Sequence, residues 1–450
     1  MLQLTAAERA KGVITASAGN HAQGVALAAR KMGVKATIVM PSITQAIKIN
    51  AVKSYGAKVV LEGDNYDQAS EHANILAQKS GLVYLHPYDD IDVIAGQGTI
   101  ALEILRQMVE PINAIFVPVG GGGLIAGIAA YVKYLRPEIK VIGVEPDDAA
   151  CCYAALQAGR RVRLKDVGIF VDGVAVAQIG KKPYEIIRKY VDDVIVVTTD
   201  QVCAAIKDIF DDTRSIAEPA GALALAGLKK YVESTSCLGE NLVAIDSGAN
   251  TNFDRLRYIS ERAELGEKRE IILAVTIPEQ AGSFKKFCHT LGKRSITEFN
   301  YRYEDVNLAR IFVGIKISSG LDERDRLIKL LRNKGYGVED MTENEMAKLH
   351  IRYMVGGHAP ALINEIVYRF EFPEHPGALL NFLNKLGQRW SISMFHYRNH
   401  GAAFGRVLVG LQYIDGDRTE VERFMSSLNF RFWEETQNSA YQLFLSSSLV

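Results

Sequence analysis

The chain has 450 residues, 48% hydrophobic and 23% charged, which is room for about three globular domains at ~150 residues each. Its 52 Lys+Arg cancel its 52 Asp+Glu, which argues against a nucleic-acid binder and leaves no polybasic patch for an anionic membrane. Five cysteines with neither a C-x-x-C pair nor a zinc spacing read as reduced thiols, and MLQLTAAERAKG carries no apolar leader, so a cytoplasmic protein without a metal site is expected.

From residue 12 to 262 short β-rich runs alternate with helical patterns. Val13–Ala16, Ala36–Met40, Lys58–Leu61, Ala114–Val119, Val141–Val144 and Leu242–Ile245 are apolar and bounded by Gly, Pro or Asp, as strands are. Between the first two, Val25, Ala28, Ala29 and Met32 share one face at helical spacing, and Gly33 stands where a helix end wants a positive φ. Thr44–Tyr55 repeats the pattern before Gly56. Strand–helix alternation implies an open, mostly parallel α/β sheet whose site lies at the carboxyl ends of its strands. The uncharged stretch Pro111–Val132 is long enough for a membrane span, but Pro118 and four consecutive glycines make it a strand, a glycine loop and a helix instead.

Three of these strand ends carry chemistry. Ser17-Ala18-Gly19-Asn20-His21 places small residues and an amide at a helix start, suited to a carboxylate or a polar ring substituent. Gly120-Gly121-Gly122-Gly123-Leu124 follows a strand and opens a helix, so backbone N–H groups can converge on an anion at the positive end of the helix dipole, naturally a phosphate. The same run also fits G-x-G-x-x-A, with Glu145 ending the next strand, which keeps a nicotinamide enzyme as a rival. Asp246-Ser247-Gly248-Ala249-Asn250 sets a neutral hydroxyl at a third strand end. Glu218-Pro219 reads mainly as a helix start. His396 and His400 flank a strand end without carboxylates at ligand spacing, so no metal pair is expected.

Beyond residue 265 the chain repeats itself. Pro278, Glu279, Gly282, Phe287, Leu291 and Gly292 recur 95 residues on, as Pro373, Glu374, Gly377, Phe382, Leu386 and Gly387. After one insertion the offset is 96, pairing Ile296, Phe299, Tyr301 and Arg302 with Ile392, Phe395, Tyr397 and Arg398. Each copy reads strand, helix, strand, strand, helix, strand, the ferredoxin-like α+β pattern. A duplicated small-ligand sensor is expected; a packing repeat without ligand is the alternative.

Taken together, GVITASAGNHAQG from Gly12, VIAGQGT from Val93, FVPVGGGGL from Phe116, AEPAGALALAG from Ala217 and SGANTNF from Ser247 resemble the fold-type II pyridoxal-phosphate enzymes. With the paired ACT-like repeats, the likeness is to the biosynthetic threonine dehydratases (threonine deaminases). The resemblance implies a catalytic domain over 1–262 and regulatory domains over 269–342 and 364–450. It gives the cofactor phosphate to Gly120, Gly121, Gly122, Gly123 and Leu124, the ring hydroxyl to Asn20, the pyridine nitrogen to Ser247, and the substrate carboxylate to the loop from Ser17 through Ala18, Gly19 and Asn20 to His21. It places Glu218 near that site. It further implies pyridoxal 5'-phosphate as cofactor, L-threonine (and L-serine in related deaminases) as substrate, and 2-oxobutanoate and ammonia as products. Isoleucine would inhibit this committed step toward isoleucine and valine relieve it, in a homotetramer.

The likeness has one gap. Members carry the Schiff-base lysine in S-x-K-x-R-G, upstream of the region that begins here. Ser283-Phe284-Lys285 continues as Lys286-Phe287 and falls in the first repeat, where the second has Ala378-Leu379-Leu380; Lys11, Lys31 and Lys35 are outside any such motif. The reading is an N-terminally shortened chain with no catalytic residue of its own and, as it stands, negligible dehydratase activity. The alternative is an inactive regulator that binds branched-chain amino acids.

Overall fold

The apolar runs of the first 250 residues do pair in parallel, but in two sheets of four strands. Strands β1 (Val13–Ala16), β2 (Ala36–Met40), β3 (Lys58–Leu61) and β4 (Val83–Tyr84) lie in the order β3-β2-β1-β4. Strands β5 (Ala114–Pro118), β6 (Lys140–Pro146), β7 (Asp193–Val197) and β8 (Leu242–Ala244) lie in the order β7-β6-β5-β8. This computed structural model describes all residues except 43, 64–65, 169, 236, 254, 304–306, 319, 345–346, 349–350, 355–358, 360–361, 363, 374–377, 387–389, 399–403, 414–417, 429, 439–440, 442–444 and 446–450. The chain divides into two units, Met1–Gly266 and Glu267–Val450.

Within the first unit, strands buried on both faces need residues that carry no unpaired polar group, and β5 is apolar throughout while the one hydroxyl of buried β1, on Thr15, donates to the Leu85 carbonyl at 2.7 Å. The helix Asn20–Met32 turns Ala22, Val25, Ala26 and Ala29 inward and ends at Gly33, whose φ of 65° is the left-handed conformation expected there. Strands β4 and β7 have no counterpart in the sequence reading. The former is two residues long, and the latter begins at the charged Asp193. Among the described residues no helix is long and apolar enough to cross a membrane, and Pro111–Val132 resolves into β5, the glycine turn and the helix Gly123–Leu135.

The second unit is one eight-stranded antiparallel sheet. Strands β9 (Glu270–Pro278), β10 (Ile296–Arg302), β11 (Leu308–Lys316) and β12 (Gly337–Asp340) come from the first repeat. Strands β13 (Glu365–Pro373), β14 (Ser391–Arg398), β15 (Phe404–Gln412) and β16 (Arg431–Glu434) come from the second. The order β12-β9-β11-β10-β14-β15-β13-β16 reads as a ferredoxin-like sheet meeting its own copy edge to edge. At the seam Phe299 faces Tyr397 and Tyr301 faces Phe395, so each repeat supplies the other's partner in a local two-fold. The edge strand that either copy would otherwise expose is thereby paired. Phe284, Phe299, Phe382 and Phe395 fill one core shared by both repeats. His396 lies in β14 opposite Asn300, whereas His400, Glu374, Gly377 and Gly387 fall outside the described residues.

Candidate active site

Topology brings the three strand-end loops together. β5 and β8 are parallel neighbours, so the glycine loop and Ser247 leave adjacent strands at the same end. The loop after β1 reaches them by side chains: Asn20 Nδ2 donates to the Ser247 carbonyl at 2.6 Å, and Asn250 Nδ2 donates to Asn20 Oδ1 at 3.0 Å. Gln23 Nε2 holds Asn250 Oδ1 from the other side at 2.9 Å. Residues 227 positions apart in sequence thus form one polar cluster. Ser247 Oγ donates to the Ala220 carbonyl at 3.3 Å, in the first turn of the helix Pro219–Ser234.

The glycine run forms a cradle of bare backbone, packed so closely by the surrounding fold that side chains have no room. A Cβ on Gly121 would sit inside the Tyr88 ring, and Gly122, the N-cap of the helix Gly123–Leu135, has φ 89°. Gly120 and Gly123 abut the backbone of Val174 and Tyr88. Packing alone therefore demands all four glycines, a stronger steric requirement than a tight turn. The first-turn N–H groups of that 13-residue helix remain available to an anion. Leu124 packs its side chain on the core, so only its backbone can face such a ligand. The cradle, with Asn20 and Ser247 joined beside it, fits a phosphorylated ring carrying a hydroxyl.

His21 differs from its neighbours in the carboxylate loop. Its Nε2 is shut off from water without a partner, and burial lowers its pKa from 6.5 to about 4 against the opposing hydrogen bond to the Leu85 carbonyl. The imidazole is therefore neutral at physiological pH and turned inward. Ser17, Ala18 and Gly19 form the turn itself, in which Ser17 Oγ accepts the Gly19 N–H at 3.3 Å and Ala18 packs on the core.

Glu145 overturns the nicotinamide alternative. Its carboxylate is fully buried and accepts the N–H groups of Cys152 and Tyr153 at 2.8 Å each, at the start of the helix Cys151–Gln157. Both oxygens are engaged at a helix N-terminus, where no ribose can reach them. Burial pushes its pKa up to about 7.

Glu218 is more than a helix start. Its side chain is buried, its N–H donates to the Gly248 carbonyl at 2.9 Å, and its carboxylate fills the space a Cβ on Gly248 would need. The residues alone give no role to Lys48 and Asp172, which share a charge cluster with it, or to Gln23, which holds Asn250 of the third loop. One signal was available: Lys48 lies four residues before Val52, on the buried face of its helix.

Comparison with known proteins agrees with this geometry. Residues 1–248 match the pyridoxal-phosphate dependent enzyme family, and residues 261–351 and 358–445 match the C-terminal regulatory domain of threonine dehydratase. The L-threonine dehydratase biosynthetic IlvA of Burkholderia multivorans is 52% identical over 449 residues, covering 99% of this chain and 88% of that protein. This chain belongs to the biosynthetic threonine dehydratase family. The Escherichia coli dehydratase of the same name is 53% identical over 445 residues, covering 99% of this chain and 86% of its own. The processed form of threonine deaminase isoform 2 from Solanum lycopersicum superposes with a TM-score of 0.56 at 49% identity, over 58% of this chain and 76% of that one. Pyridoxal phosphate is the cofactor of this dehydratase family, and the cradle described above fits it. The run Ser283-Phe284-Lys285 opens the helix Ser283–Leu291 of the second unit, inside the regulatory match.

Proposed function

We propose that the protein dehydrates and deaminates L-threonine to 2-oxobutanoate and ammonia, the committed step toward isoleucine, in the cytoplasm and as a homotetramer. The observation that carries this reading is identity of 52–53% over 99% of the chain to biosynthetic threonine dehydratases, running through both regions. Neither an inactive regulator nor the negligible activity expected from the residues is favoured, because the identity extends through the catalytic part along with its three loops.

In this reading Gly120–Leu124 hold the cofactor phosphate by backbone N–H groups, and Asn20, oriented by Asn250, meets the ring hydroxyl. Bound pyridoxal phosphate supplies the electron sink for loss of the α-proton and the β-hydroxyl. Ser247 offers the ring nitrogen a neutral hydroxyl, which cannot hold a proton there as a carboxylate would. That suits elimination better than a long-lived carbanion. The turn Ser17–His21 receives the substrate carboxylate at the start of a 13-residue helix, with the neutral His21 imidazole bracing it from behind.

We further propose that 1–262 is the catalytic domain and that 269–342 and 364–450 are regulatory domains answering to isoleucine and valine. What is consistent with an amino-acid effector is the chemistry of a shallow cleft between the repeats. Glu279 and Lys285 offer partners of opposite sign, Gly282 lets a ligand approach the backbone, and Leu383, Trp390 and Ile392 supply an apolar wall. Tyr301, one of the repeated residues, donates its hydroxyl to Glu279. The test is 2-oxobutanoate release from L-threonine with pyridoxal phosphate present, repeated with isoleucine and with isoleucine plus valine. Turnover suppressed by isoleucine is the expected result. Isoleucine binding without any turnover would establish the inactive regulator instead.

A further inference from the structure

Lys48 has no part in the chemistry above, yet it is among the costliest residues in the first unit. Its side chain is only 4% exposed, and an ammonium so placed requires compensating charge. It has Asp172 Oδ2 at 2.9 Å and Glu218 Oε2 at 3.8 Å. Lys48 belongs to the helix Ala46–Ser54, between β2 and β3 of one sheet. Asp172 opens the helical turn Asp172–Val174 and Glu218 caps the helix Pro219–Ser234, both in the other sheet's half. The pairing therefore joins the two sheets on the same side as the loop cluster. Behind it Arg255 Nη2 lies 3.5 Å from Asp172.

Glu218 passes the constraint on. Its carboxylate lies against Gly248, next to Ser247, on the same face of that glycine that Asn20 Nδ2 approaches, and Asn20 is held in turn by the Asn250 amide. We infer that Lys48 is a positioning residue of the dehydratase: through Glu218 and the Gly248 turn it fixes Asn20 against the cofactor ring and ties the two sheets together at the site. Charge explains why a lysine is used. Burial pushes the Glu218 carboxyl above its ordinary range, and Asp172 and Asp246 push the same way, while Lys48 and the Asn250 amide oppose them. If Glu218 took up a proton, its attraction to Lys48 would be lost and the Gly248 turn beside Asn20 would be held less firmly.

This inference rests on the dehydratase reading. It is tested on the holoenzyme with Lys48→Met, Lys48→Arg and Glu218→Gln, following both turnover and the absorbance of bound pyridoxal phosphate against pH. For Lys48→Met we expect kcat to fall on the order of tenfold to a hundredfold, with KM for threonine changed far less. The acid limb of both profiles should move to higher pH. Lys48→Arg should restore most of kcat and the wild-type limb. Glu218→Gln, nearly isosteric, should abolish that limb. An unmoved limb in Lys48→Met, a Lys48→Arg as impaired as Lys48→Met, or a limb retained in Glu218→Gln would each overturn the proposal. If Lys48→Met does not fold, Glu218→Gln and Lys48→Arg still decide it. A wild-type holoenzyme without threonine turnover would refute the dehydratase reading separately, and the spectral limb would still judge Lys48.

Discussion

The two units solve the same problem, burying charge, in opposite ways. In the first, charges that act together come from distant parts of the chain and from both sheets: Lys48 meets Asp172 and Glu218, and Asn20 meets Ser247 across 227 residues. In the second, duplication does the work. Glu270 and Glu365 begin equivalent strands, each accepts a hydroxyl from an equivalent position (Thr297 and Ser393), and each pairs with an arginine, Arg352 and Arg302. The glutamate and its hydroxyl are thus repeated, while the arginines that face them come from non-equivalent positions. A parallel sheet gathers its site from crossovers, so sequence distance hides it, whereas a duplicated antiparallel sheet announces its site as a repeat.

The largest expected effect bears on one of the repeated glutamates. Arg302 forms a two-pronged bond to Glu365, at 2.5 and 3.2 Å, and both side chains are nearly buried. Arg302→Met strands a buried carboxylate and should cost about 3–5 kcal/mol, while Arg302→Met combined with Glu365→Leu should recover much of it. The chain's two tryptophans, Trp390 and Trp433, both lie in the second unit, so urea unfolding followed by tryptophan fluorescence reads that unit alone. A single substitution that leaves the midpoint unchanged would show the pair to be idle.

The next prediction concerns the first unit and is set by pH. Glu145 has its carboxyl raised from 4.5 to about 7, so the folded state holds a proton that the unfolded state has already released. Its contribution is fully present below pH 4.5 and is lost as pH rises through 7, worth up to about 3 kcal/mol at 1.36 kcal/mol per unit. Glu145→Gln keeps one acceptor and never ionises. Its stability relative to the wild type should therefore improve between pH 5 and pH 8, measured by far-UV circular dichroism in urea. A constant difference across that range would mean Glu145 is not protonated in the folded state at pH 5.

The smallest effect separates two uses of glycine. Gly33 holds φ 65° with open space where a Cβ would point, so Gly33→Ala should cost only about 1 kcal/mol, the left-handed backbone penalty. Gly121 has the Tyr88 ring in that space, and Gly121→Ala should cost more and also weaken pyridoxal phosphate binding. Thermal melts with and without cofactor compare them directly. Equal costs would mean that Tyr88 moves aside freely.

Much of this architecture was legible in the residues. Apolar runs bounded by Gly and Pro located six strands of the first unit, because a strand buried on both faces has no room for unpaired polar groups. Recurrence at 95 and 96 residues located both halves of the second. Asn20, the glycine run and Ser247 stood out because each follows such a strand. The rest was hidden for physical reasons. β4 is too short for a pattern and β7 opens on a charge. Glu145 ends a strand where a ribose-binding acid would, and only its bonds to Cys152 and Tyr153 show that it caps a helix.

By itself, then, the sequence determined which segments are strands and helices, which loops carry glycine, amide and hydroxyl, and that the second half is a duplication, because these follow from local sterics, periodicity and self-similarity. Tertiary structure decided how eight parallel strands divide into two sheets and which strand ends meet. It also decided where the ionisable side chains go, turning Glu145 and His21 inward and setting Lys48 between the buried Glu218 and the partly exposed Asp172. A charge buried in a fold is stable only with a partner, and the partner is chosen by which elements pack together rather than by neighbours in the chain.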